Sequence, residues 1–240
     1  MSDAVAVRDL VRTYGTLRAV DGISFTIRPG EIFGLIGPNA SGKTTTLRVI
    51  ATLLKPTSGE VKVFDLDVVK QANAVRRLIS YLPEEAGAYK NLSGIDYLRF
   101  MATFYTKDTV ERDKMVEKGM EIAGLARRIK DKVATYSKGM ARKLLLARAL
   151  MVMPKLAILD EPTSGLDVEN SMEIREKIKS FSRDGTTFLI SSHNMLEVEF
   201  LSDRVGIIRQ GKIIALGTPE ELKSRYNALN LEEVFVKVEV

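Results

Sequence analysis

The chain has 240 residues, 45% of them hydrophobic and 28% charged, no cysteine, and a formal net charge of +5. That length suits one large α/β domain, with room for a small inserted lobe, and is too short for two full ones. The lack of cysteine excludes disulfides, thiolate metal sites and cysteine nucleophiles. No nucleic-acid partner is expected from the charge. Lys and Arg alternate with Asp and Glu along most helical segments, and Asp131 interrupts the run Arg127, Arg128, Lys130, Lys132.

In chain order, Ala4 to Leu10 and Ala19 to Ile27 alternate apolar with polar residues and read as strands, the second closed by Pro29-Gly30. Met1 to Leu10 lacks the long apolar stretch of a signal peptide. Glu31 to Ile36 is a short apolar strand, and Lys43 to Leu54 is a helix. Glu60 to Phe64 and Leu78 to Leu82 are further strands. From Ser93 to Met153 the apolar spacing turns helical: Leu98, Met101, Ala102 and Tyr105, then Val116, Met120 and Ala123, then Met140, Leu144, Ala147 and Met151. The part from residue 85 to 133 reads as a helical subdomain inserted into an α/β core made of residues 1–84 and 134–240. The most apolar helical stretch, Leu144 to Met153, is broken by Arg148 and ends at Pro154, so no membrane crossing is expected. After Pro154 the alternation returns: strand Leu156 to Leu159, helix Val168 to Phe181, strand Thr186 to Ser191 and short helix Asn194 to Leu201. A hairpin, Val205 to Ile208 with Lys212 to Leu216, turns at Gln210-Gly211. This rhythm predicts an α/β fold with a mainly parallel sheet covered by helices.

Between the third strand and the first helix runs Gly37-Pro38-Asn39-Ala40-Ser41-Gly42-Lys43-Thr44. It matches the phosphate loop, glycine, four residues, glycine, lysine, then serine or threonine, in the strand-to-helix context that the mechanism requires. Backbone N–H groups of the loop and the helix N-terminus attract phosphate. Gly42 permits close backbone approach, and Lys43 reaches the β- and γ-phosphates. The Thr44 hydroxyl ligates Mg²⁺, and Thr45 meets the α-phosphate region. ATP and Mg²⁺ are the expected cofactors.

Lys155 to Glu161 is an apolar strand ending in two acids, at the sheet edge where open α/β sheets bind ligands. Asp160 is expected to hold Mg²⁺ through water, and Glu161 to polarise the attacking water.

Together with the phosphate loop, Asp160-Glu161-Pro162-Thr163-Ser164-Gly165-Leu166-Asp167 closely resembles the nucleotide-binding subunit of ABC transporters, a likeness that covers nearly the whole chain. Tyr136-Ser137-Lys138-Gly139-Met140 occupies the place of the family's signature, usually Leu-Ser-Gly-Gly-Gln. Ser191-Ser192-His193 matches its histidine switch. The resemblance implies a P-loop NTPase core with an N-terminal antiparallel β subdomain and the inserted helical subdomain. It places Tyr14 where the family stacks an aromatic on adenine, and Glu84 where the family has a glutamine near Mg²⁺. His193 is implied to contact the γ-phosphate and orient the water and Glu161. Ser137, also readable as an N-cap of its helix, and Gly139 are implied to face the γ-phosphate held by a second subunit.

Two cassettes, as a homodimer or heterodimer, would then sandwich two ATP molecules. A separate integral-membrane permease would hold the pair on the cytoplasmic face of the cell membrane. Gly30 to Ile36, the Tyr-Ser-Lys-Gly-Met signature and Asn230 to Phe235 resemble subunits that power ABC-2-type exporters. A soluble ABC ATPase acting on nucleic acid, the ribosome or an iron–sulfur assembly scaffold is the alternative. Ala40 stands where the family usually has glycine, and Lys138 and Met140 also depart from its pattern.

Overall fold

The computed structural model describes residues 2–238; Met1, Glu239 and Val240, which the reading of one domain over 1–240 includes, lie outside the described residues. Two sheets form the frame. The first is antiparallel, in the order β2-β1-β4-β5, from β1 (Val5–Tyr14), β2 (Leu17–Ile27), β4 (Ser58–Val63) and β5 (Leu66–Asp67). The second has six strands in the order β10-β9-β3-β8-β7-β6. These are β3 (Ile32–Ile36), β6 (Ile79–Leu82), β7 (Leu156–Asp160), β8 (Thr187–Ser192), β9 (Arg204–Arg209) and β10 (Lys212–Gly217). All neighbours in it run parallel except β10, which closes the edge antiparallel to β9. Every residue of β3, β7 and β8 is buried, so these strands do not alternate between a core face and a solvent face.

Helix α1 (Lys43–Ile50) follows β3 directly, and α2 (Ala72–Arg76) precedes β6. Between β6 and β7 lie α3 (Gly94–Ala102), α4 (Thr109–Ala123), two short 3₁₀ turns and α5 (Lys138–Leu150). Then come α6 (Val168–Arg183), α7 (Met195–Leu201), α8 (Pro219–Arg225) and α9 (Leu231–Lys237). Side chains of the inserted helices, such as Tyr97, Leu98 and Val116, share one core with Leu145 and Leu150 of α5 and with Leu159 of β7. A second core fills the space between the two sheets around Phe25, Phe33 and Leu47. A third lies under the C-terminal helices, where Leu222, Leu231 and Val234 cover Ile36 and Ile207.

The structure departs from the sequence reading in four ways. First, β1 runs on to Tyr14, past the expected end at Leu10. Asp9 adopts φ 47° at a register shift between Val7 and Leu10. This bulge breaks the alternation on which the shorter reading rested, so that Val7 and Leu10 both face the core. Second, α1 ends at Ile50 rather than Leu54, where Thr52 turns left-handed at φ 62° ahead of Pro56. Third, β5 and α2 are too short to leave a periodic signature. Fourth, α8 and α9 extend the chain beyond the hairpin. Helix α8 starts with a capping box between Thr218 and Glu221 and with Pro219 in its first turn, and Asn230 caps α9.

Candidate functional site

The loop from Gly37 to Gly42 joins the buried end of β3 to the start of α1. The chain closes in on itself here. A Cβ on Gly37 would lie 2.1 Å from the Ile208 carbonyl oxygen, and one on Gly42 would lie 2.5 Å from that of Ala19. Gly42 also has φ 111°, a conformation that only glycine adopts without strain. Ser41 Oγ is buried with no hydrogen-bond partner in the chain, a hydroxyl suited to a phosphate oxygen. Lys43 Nζ is turned into its own loop, donating to the carbonyls of Gly37 at 2.8 Å and Pro38 at 3.0 Å. Burial lowers the Lys43 pKa from the ordinary 10.5, against the opposing pull of Glu161, Asp160 and Glu84.

Parallel pairing sets the opposite wall. β7 and β8 run in register so that Asp160 lies beside Ser191. Asp160 is buried and gathers three hydroxyls. Thr44 Oγ1 donates to Oδ1 at 3.2 Å, Ser191 Oγ also donates to Oδ1, and the Tyr81 hydroxyl donates to Oδ2 at 3.4 Å. The loop and the acidic strand end are therefore in direct contact through Thr44 and Asp160. Glu161 leaves the strand at φ 50°, its N–H donating to the Ser191 carbonyl at 3.1 Å. That turn aims its carboxylate along the sheet edge. Oε1 lies 2.9 Å from His193 Nδ1, and Ser192 Oγ donates to Oε2 at 3.4 Å.

A cavity of about 410 Å³ opens above this edge, lined by Tyr14, Leu17, Ala19, the loop residues Asn39, Ala40, Ser41, Gly42, Lys43, Thr44 and Thr45, and by Glu84 and Glu161. Tyr14, the loop, Glu84, Glu161 and, through Glu161, His193 thus converge on one volume. Ser137 and Gly139 do not line it. Ser137 caps α5, its hydroxyl accepting from the Met140 N–H. A strand-edge cleft with a phosphate loop on one wall and an Asp-Glu pair on the other holds and cleaves a nucleoside triphosphate.

Residues 20–164 match the ABC transporter family. The chain belongs to that family. It is 40% identical over 217 residues to the linearmycin resistance ATP-binding protein LnrL of Bacillus subtilis, covering 90% of this chain and 70% of the relative. It is 37% identical over 226 residues to the bacitracin transport ATP-binding protein BcrA of Bacillus licheniformis, covering 94% and 73%. The solved structure of an ATP-binding subunit of an ABC transporter superposes with a TM-score of 0.87 at 27% identity, covering 98% of this chain and 99% of that one. The protein is an ATP-binding and ATP-hydrolysing ABC cassette, and the expected α/β P-loop architecture is the one observed.

Sequence reasoning missed several residues of this ABC site. Ser191, noted only for its place before His193, and Tyr81 both bind Asp160, a pairing that only the strand order brings about. Burial, then the Asp160 charge, raises the Tyr81 pKa above its ordinary 10.0, so this hydroxyl keeps its proton and remains a donor. Arg12 places its guanidinium 4.6 Å from the Tyr14 ring centre, backing one face of that ring. Arg142 is buried behind the acid pair, where its guanidinium donates to the carbonyls of Asp160, Glu161 and Pro162.

Proposed function

We propose that this cassette hydrolyses ATP as one half of a dimer and drives an exporter through a separate integral-membrane permease. The contact that carries the chemistry is Thr44 with Asp160 at 3.2 Å, flanked by the Glu161–His193 pair at 2.9 Å. Lys43, Ser41 and the N-terminus of α1 bind the β- and γ-phosphates. Thr44, Asp160 and Glu84 supply a hydroxyl and two carboxylates, a hard oxygen set that fits Mg²⁺. Mg²⁺ held by these residues would supply positive charge against the phosphate oxygens. Glu161 takes the proton of the attacking water at its carboxylate, and His193 holds that carboxylate in line. Tyr14 stacks on the adenine.

The N-terminal end of α5, with Ser137 and Gly139, lies outside the cleft, which supports a role at the nucleotide of a second copy, as a homodimer or with a related cassette. Among the described residues no helix is long and apolar enough to cross a membrane, which suits a peripheral subunit on the cytoplasmic face. The relatives' names, linearmycin resistance and bacitracin transport, support export of a small toxic compound.

Two measurements test this. Glu161→Gln protein with ATP and Mg²⁺ should run as a dimer in light scattering and fall back to a monomer with ADP; a monomer in both conditions refutes the closed pair. Affinity capture from detergent-solubilised membranes of the native host should bring down one multi-span protein. Stimulation of hydrolysis by nucleic acid or ribosomes instead would reassign the function.

A further inference from the structure

Arg142 lies on α5, in the second turn after Ser137, and is buried. All five N–H groups of its guanidinium face backbone carbonyls. Nε donates to Pro162 at 2.8 Å, and Nη2 donates to Asp160 at 2.9 Å and Glu161 at 2.6 Å. Nη1 reaches across to the carbonyls of Glu84 at 3.1 Å and Pro83 at 3.4 Å. Every donor is used, and no carboxylate pairs with the cation among the described residues.

Three consecutive carbonyls do not point the same way in a strand, where they alternate. Their convergence on one fork requires the chain to turn at Glu161, which is where φ becomes 50°. A non-glycine residue holds that conformation only when its surroundings enforce it. The guanidinium therefore fixes the backbone that aims the Glu161 carboxylate, and ties it to the segment that carries Glu84. Its own anchor is the helix that begins at Ser137. The N-terminal part of α5 is thereby joined, through one side chain, to the backbone of both acids that face the cleft.

We propose that Arg142 is a positioning residue for hydrolysis, linking the Ser137 helix to the orientation of Glu161 while leaving nucleotide binding alone. The proposal rests on the reading of Glu161 as the base. A planar fork is needed to serve five carbonyls at once, so lysine, which keeps the charge and a single ammonium, should not substitute.

The test uses the full chain with Arg142→Lys. The single-turnover hydrolysis rate should fall by about 10²-fold, the order expected when a reacting group is displaced by about 1 Å. The Kd for ATP, from titration of a fluorescent analogue, should stay within about twofold, since a shift of that size is near 0.4 kcal/mol. In a Glu161→Gln background the same substitution should slow hydrolysis no further, because residues that act as a unit are not additive. An unchanged rate, a Kd that worsens in step with the rate, or a full additional loss in the Glu161→Gln background each overturns the proposal. Thermal unfolding checks that the variant is folded, and Arg142→Gln is read by the same criteria should the lysine variant not fold. A fully active Glu161→Gln protein would instead remove the base assignment, while the separation of rate from Kd in Arg142→Lys still decides whether Arg142 serves hydrolysis.

Discussion

His193 Nδ1 lies 2.9 Å from Glu161 Oε1, a half-exposed imidazole against a buried carboxylate. The two belong to different crossovers, one following β7 and the other β8, and meet because those strands are neighbours. A proton on Nδ1 is donated to the carboxylate, fixing the ring and the acid together. Glu161→Gln should lower the ATPase rate by about 10²–10⁴-fold with ATP binding retained. His193→Ala should give a smaller loss, again with little change in Kd. Phosphate release and nucleotide titration check both; full activity in the glutamine variant would end the assignment of Glu161 as base.

Burial lowers the Lys43 pKa below 10.5, with Glu161, Asp160 and Glu84 opposing that shift. In the unfolded chain the amine keeps its proton up to 10.5, so between the lowered value and 10.5 the unfolded state binds more protons. Stability of the free protein therefore rises with pH across that window, and below it the buried charge is a constant cost. Lys43→Met should lose ATP binding, lack this rise, and be no less stable than the parent at neutral pH. Urea unfolding of the pair against pH is the check; parallel curves would refute it.

Ala40 carries φ 61°, in the left-handed region where a Cβ costs about 1 kcal/mol. Glycine removes that strain but adds freedom to the unfolded chain, worth about 0.5 kcal/mol. Ala40→Gly should therefore stabilise the fold slightly, by about 0.5 kcal/mol, with ATP affinity kept or improved. A lower denaturant midpoint would show that the loop holds Ala40 without strain.

Tyr14 is backed on one face by Arg12 and lines the cleft beside Leu17 and Ala19, and the proposed function stacks its ring on adenine. Removing the ring in Tyr14→Ala should weaken ATP by about 1 kcal/mol, close to fivefold in Kd, with the rate at saturating ATP unchanged. An unaltered Kd would place the base elsewhere.

Much of the fold was legible because its signals are local. Every strand of the parallel sheet was readable, since a buried parallel strand is a short apolar run bounded by turn residues, as in Ile32 to Ile36 and Leu156 to Leu159. The bulge at Asp9 was not, because it depends on how β1 meets β2 and β4. Helix α8 carries a local start signal in Thr218-Pro219-Glu220-Glu221, a capping box with proline in the first turn.

The sequence by itself determined the phosphate loop, the acid pair at the end of β7 and the family, since these lie in contiguous stretches whose spacing is the chemistry. Only the tertiary structure decided what stands beside them. The parallel register puts Ser191 against Asp160, and β6 delivers Tyr81 to the same carboxylate. Helix packing turns Arg142 inward onto carbonyls from two separate segments. These partners are joined by hydrogen bonds between residues far apart in the chain, and no local pattern of side chains encodes which distant backbone a guanidinium or hydroxyl will find.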